Sequence, residues 1–143
     1  MAAVSAVTAV RAWLNARLDL VGAGRPIALG AHRAPIRSPG QGAYVLLSRV
    51  GGSPDLLAEG SVDRARISAV VYAGTDEAAE NAATAYRNAV EGLSGAPAVM
   101  GSALCLVADN ISGPLFLDER AGSGDQYAYA VDADFYLING GET

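Results

Sequence analysis

Residues 127–137 alternate in a way that leaves one conformation open to them. Tyr127, Tyr129, Val131, Phe135 and Leu137 fall on one parity, and Ala128, Asp132, Asp134 and Tyr136 on the other. Successive side chains of an extended strand point to opposite faces, so this stretch is a half-buried strand of an antiparallel sheet. Residues 62–72 repeat the pattern, with Ile67, Ala69 and Val71 against Arg64, Arg66 and Ser68. Residues 43–50 form a third strand, followed by a turn at Gly51-Gly52-Ser53-Pro54. Residues 102–108 and 115–118 are two further strand candidates separated by a Gly113-Pro114 break, and Gly122-Ser123-Gly124 marks a hairpin turn before the final strand.

A sheet with one apolar face needs a second layer, and two segments have helical periodicity. Over residues 3–20, Val7, Val10, Leu14, Leu18 and Val21 recur at the three-and-four spacing of one helical face, and Gly22, Gly24 and Pro26 supply the stop. The second helix opens at Thr75, a residue type that caps free backbone amides, with Asp76 and Glu77 where the helix dipole favours negative charge. It runs to about Leu93 with Ala79, Ala82, Ala83, Tyr86, Val90 and Leu93 on one face, small enough for the helix to sit close to a sheet; Gly92, Gly95 and Pro97 end it. Between the first helix and first strand, residues 22–42 read as a long exposed loop containing Pro35, Pro39, Gly40 and Gly42. The expectation is one α+β domain over residues 1–143, a mainly antiparallel sheet packed with two helices in the order α-β-β-α-β-β, with room for a further short strand. Every connection among the strands can be antiparallel except the crossover through the second helix.

The side chains available for chemistry are few. The chain has one His, one Cys and no Lys; its ten basic residues are all Arg, and its formal net charge is −5. That balance disfavours a protein that grips phosphates, and nothing suggests specific nucleic-acid binding. His32 lies in the long loop without an identifiable nucleophile or orienting partner, and Cys105 lies in an apolar strand run that suits a buried, inert thiol. Asp109, Asp118, Asp132 and Asp134 do not form a metal-ligand pattern; they fit a solvated sheet face, and Asp132 with Asp134 could also repel phosphate from a channel wall. The two GxG triplets, at residues 22–24 and 40–42, lack the context of a dinucleotide site, and without Lys there is no Walker loop. No catalytic residue, metal or cofactor is expected, and the chain reads as something other than an enzyme. Neither an export signal nor a membrane span is expected. Arg49, Arg64 and Arg66 fall on or near adjacent strands and could project away from the core, either as a solvated row or as a subunit interface.

Residues 66–93, RISAVVYAGTDEAAENAATAYRNAVEGL, resemble the central strand-turn-helix of the tail terminator family of long-tailed bacteriophages, also called tail completion or head-tail joining proteins. The N-terminal helix, the Pro-containing arm before the first strand and the terminal strand YAYAVDADFYL match that layout, so the likeness covers most of the chain. Richness in Ala and Gly and the lack of Lys depart from it. The resemblance implies a structural virion assembly protein at the head-proximal end of the tail, assembled in the host cytoplasm. It further implies a homo-oligomeric, hexameric ring that caps the tail tube, stops its polymerisation and docks to the head connector. DNA would pass through such a ring, which the acidic balance suits. Contacts are expected from His32, Arg33, Arg37 and Gln41 in the loop and from the strand arginines Arg49, Arg64 and Arg66. Two alternatives stay open. One is another connector component such as a stopper; the other is a small ferredoxin-like ligand-binding domain or enzyme whose pocket would draw on Tyr44, Tyr72, Tyr86 and Tyr129.

Overall fold

The computed structural model describes residues 5–17, 30–31, 44–55, 62–117 and 127–138. The first helix, α1, spans Ala6–Asn15; Ser5 caps it, its hydroxyl accepting from the Thr8 amide at 3.4 Å. The helix is shorter than the periodicity predicts. After Asn15 the amides of Ala16 and Arg17 fold back to Trp13 and Leu14, bonds of the tighter three-residue type that close a last turn. Leu18 and Val21 lie outside the described residues. The short strand β1, Gly30–Ala31, follows in a stretch expected to be loop, and pairs in parallel with β2, Tyr44–Asp55. The antiparallel partner of β2 is β3, Val62–Ala73, which leads into α2, Asp76–Glu91. The Thr75 side chain accepts from the Ala78 amide at 3.1 Å, as the cap pattern predicts, and a 3-10 turn at Gly92–Ser94 completes the helix. Then come β4, Ala98–Met100, β5, Ala103–Leu117, and β6, Tyr127–Ile138.

The six strands form one sheet in the order β1-β2-β3-β6-β5-β4. The expected α+β class holds: two helices and a sheet in which every pairing except β1 with β2 is antiparallel. The chain crosses over through α2 and leaves β3 beside β6, so no parallel pair spans the helix. Both helices contribute to one core on the same side of the sheet. Helix α2 lies against β3, β5 and β6, whereas α1 touches β1 and β2 at one edge and β4 at the other. Six strands laid flat would put those edges about 24 Å apart, so the sheet must curl around the helices.

Two corrections concern where the expected strands end. Gly51-Gly52-Ser53-Pro54 does not turn the chain: β2 continues to Asp55, and the register with β3 slips between Arg49 and Gly51. Likewise Gly113-Pro114 does not divide two strands, because β5 runs through it with register shifts between Cys105 and Val107, Asp109 and Ser112, and Ser112 and Leu115. In β5 Gly113 and Pro114 lie within a slip and act as bulge residues that keep a long curled strand paired, whereas in β2 the unpaired residue is Val50 and Gly51 to Pro54 pair in regular register beyond it. Asp118 and the Gly122-Ser123-Gly124 turn lie outside the described residues.

The richness in alanine is explained by packing across β3 and β6. On the helix side Ala65 faces Phe135, Ile67 faces Ala133 and Ala69 faces Val131, so each row joins a small residue to a larger one. Ala79, Ala82 and Ala83 of α2 are fully buried as well, which brings the helix backbone close to this surface. Cys105 is buried in the same core, its thiol held 3.4 Å from the Val107 carbonyl oxygen and its pKa pushed up to about 11 by burial. Its burial is as the apolar strand run predicts.

Candidate functional site

Among the described residues no helix covers the other face of the sheet. At one end it is apolar, with Tyr72 and Ala128 buried against Leu46, Val70 and Leu117. Burial raises the Tyr72 pKa above its ordinary value. Tyr86 is fully buried on the helix side, so Tyr72 and Tyr86 do not line one pocket. Tyr129 belongs to the helix side too, where Phe116 meets it edge-on at 5.4 Å and its hydroxyl donates to Asp76 Oδ1 at 2.6 Å.

The middle of the uncovered face is polar, and the bulged segment of β5 organises it. Asn110 adopts a positive φ of 54° and Gly113 one of 99°. Arg66 on β3 donates through Nη1 to Asp134 Oδ1 at 3.1 Å and to the Asn110 carbonyl at 3.1 Å, and through Nη2 to Ser112 Oγ at 3.3 Å. The Asn110 side chain donates to Asp134 Oδ2 at 3.2 Å. From the opposite side, Arg87 of α2 donates to the Gly113 carbonyl and pairs with Glu91 at 3.2 Å. Two arginines on two layers thus hold the same irregular segment.

Of the residues expected from the sequence, Arg64 and Arg66 share the uncovered face and Arg49 does not. Arg49 is in register with Ile67 on the helix-side parity, and its guanidinium makes a bidentate pair with Asp63 at 2.9 Å for both bonds. That hydrogen-bonded carboxylate raises the Arg49 pKa. Being about one-third exposed, the pair contributes under about 1 kcal/mol. The three arginines are therefore not a row. Asp132 and Asp134 do share a strand face, as their spacing requires, but Asp134 is neutralised by Arg66 and only Asp132 presents an uncompensated charge. His32, Arg33, Arg37 and Gln41 lie outside the described residues, as does the 22–42 loop apart from Gly30–Ala31. Asn110, Ser112 and Gly113 were missed by the sequence reading. Their signal was a cluster of turn-forming residues, Asn-Ile-Ser-Gly-Pro, set inside a β-rich run.

Asp132 lines a depression of about 290 Å³ together with Ser112, Gly113, Pro114, Leu115 and Ala130. Its Oδ1 is sealed from solvent and accepts no hydrogen bond; the buried Tyr86 hydroxyl likewise has no protein partner. The Tyr86 pKa is raised well above its ordinary value, by burial first and by the nearby charge of Asp132 second. A buried hydroxyl without a partner carries a desolvation cost of about 1–3 kcal/mol, so Tyr86→Phe is expected to leave stability unchanged or raise it by about 1 kcal/mol. Urea denaturation checks this; a loss of stability would place an ordered water on the phenol. Among the described residues no group of three or more His, Cys, Asp or Glu side chains is arranged to hold a metal ion, and no helix is long and apolar enough to cross a membrane.

The hydrogen bond to Asp76 pushes the Tyr129 pKa up from 10.0 to about 12. A raised folded-state value stabilises the protein fully below the unfolded pKa of about 10 and loses that contribution as pH climbs through the folded one. Wild-type stability is therefore expected to fall between pH 10 and about 12 more steeply than that of Tyr129→Phe, measured by urea midpoints across that window.

No family model matches the chain, and no curated protein matches it in sequence.

Proposed function

We propose that this chain is a ring-forming virion assembly protein, a tail terminator that caps the tail tube of a long-tailed bacteriophage, stops its polymerisation and joins it to the head connector. The observation that carries the assembly reading is the uncovered sheet face, which combines a half-buried apolar end, a polar cluster braced from both layers and an uncompensated carboxylate in a depression. A face of that composition resembles the mixed apolar and polar make-up of protein interfaces, in which Arg and Tyr are favoured. Support for the narrower name comes from the resemblance of residues 66–93 to the strand-turn-helix of tail terminators, the α+β order that accompanies it, and a net charge of −5 suited to a conduit for DNA. The partners that follow are further copies of this chain, a tail-tube protein and a head connector protein, at the head-proximal end of the tail.

Sedimentation and negative-stain imaging of the purified chain test the reading, alone and with polymerising tail-tube subunits. Closed rings, hexameric on this reading, and tubes that stop growing when the chain is added are the expected results. A strictly monomeric particle that also fails to bind tail-tube subunits would sink it.

A further inference from the structure

Among the described residues three charged side chains on the uncovered face make no hydrogen bond or ion pair, Arg64, Asp132 and the exposed Asp109, and of these Asp132 lines a depression. Asp132 is in register with Ser68 on one side and Ser112 on the other, yet it makes no hydrogen bond to either, and its Oδ1 is closed off from water. Such a carboxylate is costly unless a donor reaches it. Arg66 cannot serve, because Asp134, the Asn110 carbonyl and Ser112 already engage it. Arg64 is exposed on the same face and makes no hydrogen bond or ion pair among the described residues.

Arg64 and Asp132 cannot meet within one molecule. Arg64 is in register with Tyr136, four residues along β6 from Asp132. Four residues at about 3.3 Å and one strand spacing of about 4.8 Å put their Cα atoms about 14 Å apart, too far for an arginine to bridge. We propose that the Asp132 depression receives Arg64 of a second copy of this chain. The depression, at about 290 Å³, has room for roughly ten waters at about 30 Å³ each, enough for a guanidinium and its stem. A guanidinium brings a fork of five N–H donors to the part of the Asp132 carboxylate that lines the depression, Oδ1 itself being closed off, while Leu115 and Pro114 offer apolar surface to the stem. Because donor and acceptor share one face, two copies can meet face to face about a two-fold axis, each Arg64 entering the other copy's depression, so that the contact is made twice. The inference rests on the assembly reading for self-association alone.

The test uses Arg64→Asp and Asp132→Arg in the full chain, each examined by sedimentation velocity alone and as a 1:1 mixture, with thermal melts to confirm folding. Each variant alone is expected to self-associate at least about tenfold more weakly than wild type, because every contact then sets like charges together. The mixture is expected to recover association, since each mixed contact again joins a carboxylate to a guanidinium. Asp132→Asn, of the same shape, covers the case in which Asp132→Arg does not fold, and should weaken association without lowering the melting temperature. A self-associating wild type whose variants behave as it does, or a mixture that recovers nothing, overturns this contact and leaves the assembly reading standing. Weakening by Asp132→Asn but not by Arg64→Asp overturns the assignment of Arg64. A wild type that stays monomeric at every concentration overturns both.

Discussion

Gly113→Ala is expected to lower stability by about 3 kcal/mol or more, and to do so through backbone rather than side-chain conflict. Gly113 has φ +99°, where residues with a Cβ are strained by about 1–3 kcal/mol. A Cβ there would also lie 2.3 Å from the Ala130 carbonyl oxygen and 3.1 Å from Val131 Cα. Those atoms belong to β6, the strand paired on its two sides by β3 and β5, so they have little freedom to retreat. The expected consequence extends beyond stability, because Ser112 and the Gly113 carbonyl are the points at which Arg66 and Arg87 take hold. Gly51→Ala is the control: it too adjoins a register slip, but nothing lies within 4 Å of its Cβ position, and a change within about 0.5 kcal/mol is expected. Urea denaturation of the two variants decides the matter; equal, small effects would mean that β5 and β6 are not as close as described.

Phe135→Ala should cost about 3–5 kcal/mol, a large part of the roughly 5–15 kcal/mol that holds a domain together. Phe135 is fully buried, and its register neighbours on β3 and β5 are Ala65 and Ala108. Neither cross-strand partner is long enough to lean into the space, so much of the cavity would stay open and the penalty should fall at the upper end. Phe135→Leu keeps much of the volume and is expected to cost well under half as much. The comparison is made by chemical denaturation at equilibrium. If both variants lost about 1 kcal/mol, the small-to-large matching across the central strands would not be what fills this core.

The alternating strands and the capped helix were legible because each is a local matter: parity decides the face of Ile67 and Phe135, and Thr75 caps through an amide three residues away. The candidate site was less so. Parity placed Arg64, Arg66, Asp132 and Asp134 on faces correctly, but could not say that Arg66 and Asp134 pair while Arg64 and Asp132 do not. That distinction depends on strand order and on a register fixed by residues 68 positions apart. Arg49 is parted from Arg64 and Arg66 by parity itself: it precedes the slip and continues the series of buried Val45 and Leu47, which its charge obscured in the sequence. A local break signal hid the continuity of β5, where Gly113 and Pro114 look like an ending and act as a bend.

That bend also bears on how the molecule behaves before it meets a partner. Only three residues of β5, Ala103 to Cys105, are paired with β4, so among the described residues most of this long strand is a border of the sheet. A straight border with Leu106, Leu115 and Phe116 exposed would be an invitation to stack indiscriminately with any other strand. Three register slips and a proline without an amide hydrogen spoil the evenly spaced ladder that such stacking requires. Such an edge is poorly suited to growing into fibres, and in the assembly proposed above the choice of neighbour would fall to charged side chains that recognise one another rather than to backbone that accepts anything.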